Sequence, residues 1–196
     1  LIGGAMAYTF RLAQGAKTGK SLLEADKVDI AKSALEKAKA RNVKFLLPLD
    51  DVVATPVKTD RVDKKGRPII EFQNERANPG VDCPEDSAGL DIGPETVKAY
   101  SNEIAGAKTV LWNGPMGLFE DARFATGTNA VAAAVTAATQ AGAISIIGGG
   151  DSVKALNKAG LGDQVTFMST GGGASLEFLE GKTLPGVAAL NDAPSA

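Results

Sequence analysis

AISIIGGGDSVKALNKAG, residues 143–160, joins a short apolar run to three glycines, an aspartate and an amphipathic helix pattern. Ala143, Ile144, Ser145, Ile146 and Ile147 suit a buried parallel strand, and Val153, Leu156 and Asn157 begin a period near 3.6 that Gly160 stops. Glycines carry no Cβ, so an anionic oxygen can come close to their backbone N–H groups, helped by the positive end of the following helix. Asp151 at the helix start would repel a bare phosphate unless a divalent cation sits between them, which points to a Mg-nucleotide. Taken alone, the loop is equally open to a second reading, as steric punctuation with an ordinary acidic or hydroxyl cap.

A second copy of the design follows. Residues 165–169 (VTFMS) predict a strand, Thr170-Gly171-Gly172-Gly173 a glycine loop, and ASLEFLEG a short helix stopped by Gly181. Two such loops would set two helix N-termini at one edge of a parallel sheet, with room for a polyphosphate between them. That repetition favours an anion site over punctuation.

Working outward, Leu1 and Ile2 read as the end of a strand and Gly3-Gly4 as its turn. Residues 5–14 read as a helix with Met6, Phe10 and Ala13 on one face and Gly15 as its stop. Residues 15–21 (GAKTGKS) imitate a phosphate-binding P-loop but hold only three residues between the glycines, where four are needed, and follow a helix instead of a strand. They read as a solvated loop. Residues 26–41 predict an amphipathic helix with Ile30, Ala31, Ala34, Leu35 and Ala38 inward. Residues 43–49 (VKFLLPL) predict a strand whose carboxyl end carries Asp50 and Asp51, where a ligand could bind, although a capping role fits the pair slightly better. Residues 57–72, around Lys64-Lys65-Gly66, predict a hairpin or strand extension at the sheet edge, and residues 74–87 a polar loop.

Gly93-Pro94 opens a helix with Val97, Tyr100 and Ile104 on one face. Residues 108–113 (KTVLWN) predict a strand running into Gly114-Pro115-Met116-Gly117-Leu118-Phe119-Glu120, an apolar wall ending in a carboxylate, as a nucleoside requires. Residues 126–140 form an alanine-rich helix suited to close packing. The sum is an α/β fold, a three-layer αβα Rossmann-like parallel sheet.

Composition agrees. The 196 residues are 44% hydrophobic and 22% charged with 23 glycines. No apolar run approaches the ~20 residues that span a bilayer, and no secretory signal is visible. Twenty-one basic against 23 acidic residues, a net charge of −2 and no long basic block argue against nucleic acid as a partner. Cys83 is the sole cysteine, placed in a surface loop (VDCPED), so no intrachain disulfide forms and a reducing cytoplasm is the expected home. With no histidine, Ser-His, Cys-His and His-based acid–base chemistry are excluded within this chain. Its chemistry must rest on positioning and electrostatics.

LIGGAMAYTF, LPLDDVVA, LDIGPETV, VLWNGPMGLFE, FATGT, IIGGGDS and STGGGASLEFLEGKTLPGV, in this order and spacing, closely resemble the C-terminal nucleotide-binding domain of the phosphoglycerate kinase family. The resemblance runs from Leu1 to about Leu190 and gives residues 1–196 as that domain, incomplete at its N-terminal edge. It implies reversible phosphoryl transfer between 1,3-bisphosphoglycerate and MgADP, giving 3-phosphoglycerate and MgATP in glycolysis, in the cytoplasm, by an enzyme monomeric at full length. It implies an adenine pocket from Gly3, Gly4, Leu22, Gly89 and Leu90 with Pro115 and Leu118 nearby, and Glu120 on the ribose hydroxyls. Asn113, Gly149, Gly150 and Ser152 would hold the phosphates, Asp151 would face Mg2+, and the helix start at Gly172 and Gly173 would stabilise the migrating phosphoryl group. Such catalysis needs no histidine, since charge and alignment serve a loose in-line transition state.

Two departures bear on this. Ala5 stands where many members have a third glycine. The family's GGAKV segment, with its phosphoryl-neutralising lysine, and the phosphoglycerate-binding N-terminal domain are expected upstream of Leu1, so the expectation is a piece of the enzyme that cannot turn over alone. Missing first strands would leave a sheet edge exposed, with low stability or self-association expected. Two rivals stand beside it: a noncatalytic nucleotide-binding module, and a Rossmann-type oxidoreductase, which the lack of any G-x-G-x-x-G after a strand disfavours.

Overall fold

A computed structural model describes residues 1–169 and 171–190. Thr170, which opens the second glycine loop, and residues 191–196 lie outside the described residues. The chain folds into two three-stranded sheets joined by helices. Strands β1 (Asp51–Val62), β2 (Pro68–Asn78) and β3 (Ala88–Ile92) form an antiparallel sheet in the order β2-β1-β3. Strands β4 (Thr109–Asn113), β5 (Ile144–Gly148) and β6 (Phe167–Ser169) form a parallel sheet in sequence order, each crossing to the next through a helix. This is the expected Rossmann-like α/β arrangement.

Helices α3 (Pro94–Ala105), α4 (Thr126–Gln140) and α5 (Gly150–Lys158) pack over one face of the parallel sheet. Tyr100 and Ile104 of α3, Val131 and Val135 of α4 and Leu156 of α5 close on Trp112 and Ile147 in one core. The small residues of α4 serve this packing, as Ala132 and Ala138 are buried between neighbours. Helix α6 (Gly172–Leu179) follows β6, and Gly160 and Gly181 end α5 and α6 in left-handed conformations, φ 71° and 81°. A short α7 (Pro185–Ala188) comes last. No helix among the described residues is long and apolar enough to cross a membrane.

The N-terminal part departs from expectation in several places. Helix α1 (Gly4–Ala13) buries Phe10 as expected, together with Ala7, Tyr8, Thr9 and Arg11, and leaves Met6 58% exposed. A single 3-10 turn at Ala25–Lys27 precedes α2 (Val28–Ala40), which buries Ala31 and Ala38 and leaves Ile30 exposed. Residues 43–49 are extended but form no strand. A strand needs a ladder, and the segment's backbone bond to the Leu1–Ile2 stretch is a lone one, Ile2 N to Leu46 O at 3.0 Å, beside the Tyr100 hydroxyl at 3.1 Å from the same carbonyl. Leu1 and Ile2 likewise form no strand.

The hairpin around Lys64-Lys65-Gly66 is present, but it belongs to the separate antiparallel sheet and not to the edge of the parallel one. β2 continues to Asn78, into the stretch expected as loop, and β3 is a strand that local periodicity did not announce. Residues 15–21 form a loop exposed at Gly15, Lys17, Gly19 and Lys20, as expected, and anchored at its buried end, Ser21. Lys20 N donates to Ser87 O at 2.7 Å, and a Cβ at Gly19 would fall 2.2 Å from Pro84 O. Cys83, expected at the surface, is fully buried; its thiol lies 3.3 Å from Ser87 O and burial pushes its pKa up. Asp50 caps α3, accepting from Thr96 N at 2.8 Å and Glu95 N at 3.0 Å, so the capping reading of that residue holds.

Candidate functional site

The register of the parallel sheet sets Asn113, Gly148 and Ser169 level at its carboxyl edge. Gly149, φ 86°, turns the chain from β5 into α5 while its N–H donates to Ser169 O at 3.2 Å. Gly172 opens α6 against it: a Cβ at Gly172 would fall 2.7 Å from Gly149 Cα, so glycine alone permits the approach. Asn113 completes the corner, its amide oxygen 3.0 Å from where a Cβ of Gly149 would stand. Two helix N-termini and a carboxamide thus converge, and the first-turn N–H groups of α5 have no acceptor within their own helix.

The turn from Gly114 to Gly117 leads away from this corner and is fixed from several sides. Gly114 N donates to the buried Ser152 Oγ at 2.6 Å, Trp112 Nε1 to Gly114 O at 2.7 Å, and Met116 N to Thr128 Oγ1 at 3.0 Å. Its far side holds α1 and β3, through Gly4 N to Met116 O at 3.0 Å and Leu118 N to Leu90 O at 2.8 Å. Ser152 is therefore occupied at its side chain by a structural bond, which leaves its backbone N–H at the helix start.

Between turn, α1 and β3 lies a cavity of about 770 Å³. Gly3, Gly4, Gly89, Leu90, Leu22, Pro115 and Leu118 line it, and Asn113 and Asp151 stand at its phosphate-corner end. Glu120 is exposed and outside the lining; Gly149, Gly150, Ser152, Gly172 and Gly173 also lie outside it, near Asp151 and Asn113 in the corner. Among the lining residues that escaped the sequence reading of the site are Tyr8, Phe72 and Asp91, while Asp51, weighed there as a possible ligand residue, also lines the cavity. Tyr8 is the reason for a glycine at 89, since a Cβ there would fall 1.5 Å from the Tyr8 hydroxyl.

Carboxylates dominate the electrostatics; among the described residues no lysine or arginine lines the cavity. Asp51 is buried with Arg11, whose guanidinium bonds its carboxylate and donates to Pro48 O at 2.9 Å while stacking 5.2 Å from the Tyr8 ring centre. Burial raises the Asp51 pKa and Arg11 opposes that shift; burial also pushes the Tyr8 phenol well up. Asp91 accepts from Gly127 N at 2.6 Å and Ile92 N at 3.0 Å, yet burial outweighs both bonds and lifts its pKa to about 6. Asp151 is the exposed member, bonded to Lys154 at 3.0 Å. Among the described residues no three His, Cys, Asp or Glu side chains come together as a metal cage. One solvated carboxylate beside helix-start N–H groups is a donor set that could hold Mg2+ together with phosphate oxygens and water.

The family model for phosphoglycerate kinase matches residues 1–182. A phosphoglycerate kinase of Synechococcus sp. (strain JA-3-3Ab) is 58% identical over 193 residues, 98% of this chain and 44% of its own length. One of Chlorobium chlorochromatii (strain CaD3) is 55% identical over 98% of this chain and 45% of its own length. Among solved structures, the phosphoglycerate kinase of Coxiella burnetii superposes with a TM-score of 0.77 at 41% identity, over 95% of this chain and 44% of that one. That of Pyrococcus horikoshii OT3 gives 0.69 at 32% identity over 95% and 43%. The chain spans under half the length of these relatives. By its seven ordered motifs, its paired strand–glycine–helix corner and these likenesses, the chain belongs to the phosphoglycerate kinase family.

Proposed function

We propose that residues 1–196 are the nucleotide-binding domain of a phosphoglycerate kinase and supply the ADP/ATP half of its reaction. The observation that carries this reading is the approach of Gly149 to Gly172 at one end of an apolar cavity. An adenine ring would lie on Gly3, Gly4, Gly89 and Leu90, between Leu22 and the Pro115–Leu118 turn, and Glu120 would meet the ribose at the rim. The phosphates would reach Asn113 and the N–H groups of Gly149, Gly150 and Ser152. Bound Mg2+, held by Asp151 and phosphate oxygens, would supply the positive charge that the cavity's side chains lack.

Gly172 and Gly173 present the start of α6 to the transferring phosphoryl group, where partial positive charge is fixed before reaction and needs no reorganisation. The chain's own contribution is thus binding, alignment and dipoles. In the whole enzyme the acceptor and donor would be 3-phosphoglycerate and 1,3-bisphosphoglycerate, in glycolysis and in the cytoplasm. Those acids need cationic partners, and this cavity offers none among its side chains. The 196 residues accordingly bind nucleotide without turning over, and hinge closure onto a second domain would bring the substrates into line. A noncatalytic nucleotide-binding module fits the same cavity and differs in lacking that second half.

The test is a titration with MgADP read by Trp112 fluorescence, since Trp112 bonds the turn beside Asn113. Saturable binding, weakened by Asp151→Ala mainly when Mg2+ is present, is expected. Absence of binding by the folded chain would remove the nucleotide reading.

A further inference from the structure

Phe72 is an aromatic wall of the cavity, beside Tyr8 and Trp112, and it comes from β2, an edge strand of the antiparallel sheet. Its register partner is Pro56, which has no N–H to donate. The Phe72 carbonyl accepts instead from Arg123 Nη1 at 2.9 Å, across 51 positions of sequence. The same nitrogen donates to Glu75 Oε2 at 2.8 Å, while Nη2 and Nε fork onto Asp121 at 2.7 and 3.1 Å. Below them the Phe72 ring meets the fully buried Phe124 edge-on, centroids 6.0 Å apart at 82°, and the guanidinium lies 5.0 Å from the Phe124 ring centre.

One cation therefore ties the hairpin to the turn that follows Glu120. The other side of that turn is held by Lys158 Nζ, 2.9 Å from Phe119 O and 3.3 Å from Glu120 O. An edge strand has no second neighbour to hold it, so without Arg123 the Phe72 wall rests on the hairpin and on the edge contact with Phe124. The planar fork suits this bridging task in a way that a lysine point charge does not.

We propose that Arg123 is a positioning residue for the nucleoside end of the site, holding Phe72 as the outer wall against the base. This inference rests on the nucleotide reading of the cavity. It assigns the strap to the base and ribose and not to the phosphates, which bind at the opposite end.

The experiment is calorimetry on the full 196-residue chain with adenosine, MgADP and inorganic pyrophosphate with Mg2+. Arg123→Met is expected to weaken adenosine and MgADP about three- to tenfold, as loss of one ordered aromatic contact would, and to leave pyrophosphate unchanged. Phe72→Ala should reproduce the loss, Arg123→Met should add nothing in the Phe72→Ala background, and Arg123→Lys should recover part of it. Unchanged adenosine affinity in Arg123→Met, or an equal loss for pyrophosphate, would overturn the positioning role. Failure of the unmodified chain to bind either adenosine or MgADP would remove the nucleotide reading itself, and this inference with it. The two failures appear in different proteins and cannot be confused.

Discussion

Asp91 lines the cavity as a carboxyl group whose burial works against its ionisation. It accepts two backbone N–H groups, one at the start of α4, yet its pKa stands at about 6 because burial is the larger effect. An unfolded aspartate titrates near ~3.9, so between about pH 4 and 6 the folded chain binds the extra proton, and stability from this group falls as pH rises through that window. The stability of the native chain minus that of Asp91→Asn should therefore shrink by roughly 2 kcal/mol from pH 4 to pH 7. Urea unfolding at stepped pH measures it, and a difference that grows with pH would show that the N–H bonds outweigh burial. Asparagine keeps only one acceptor, but that cost is independent of pH and drops out of the slope. Nothing in the sequence around Asp91 announced this role, because the desolvation comes from α4 and the Gly117 turn, far along the chain. Arg11 escaped for the same reason: on a helix pattern it reads as solvated, and only the fold brings Asp51 to it.

At the level of elements, the strand–glycine–helix units were legible because three local signals agree: β-branched runs, glycines at the strand ends and a helical period after them. Residues 43–49 carry an apolar run and still form no strand, since a ladder needs a partner that local sequence does not specify. β3 was missed conversely: five residues with a glycine at 89 hold little periodicity, and pairing with β1 makes the strand. The glycine at 172 tests whether approach or flexibility is the purpose of the second loop. A Cβ there meets backbone atoms of Gly149 at 2.7 and 3.0 Å, which cannot swing aside. Gly172→Ala should leave α6 intact, as alanine favours helix by about 1 kcal/mol, while parting the two loops and weakening MgADP roughly tenfold. Gly186→Ala, where nothing lies within 4 Å, should bind as the native chain does. Equal affinities for all three proteins in calorimetry would mean that the corner does not need its close approach.

Across the whole molecule the antiparallel sheet contributes Phe72, Gly89 and Leu90 to the cavity lining, and the parallel sheet contributes Asn113 and the corner where Gly149 meets Gly172. The parallel sheet carries an uneven load. Trp112, Ile147 and Met168 point into the core under α3, α4 and α5, while register places Leu111, Ile146 and Phe167 side by side on the opposite face, with Ile144 two residues along. There Leu111 is 40%, Ile144 52% and Phe167 59% exposed. Parallel sheets are ordinarily covered on both faces, and a contiguous apolar face left open draws a partner surface. Sedimentation velocity of this chain should accordingly show association that grows with concentration. Burying one phenylalanine side chain is worth about 1.5–3 kcal/mol, so Phe167→Glu should raise the concentration for half-association at least tenfold. A salt-insensitive effect fits an apolar contact, whereas one abolished by salt would place the contact among the charges of the hairpin instead. A single monomeric species at all concentrations, with Phe167→Glu indistinguishable from the native chain, would show that the open face of the parallel sheet does not drive association.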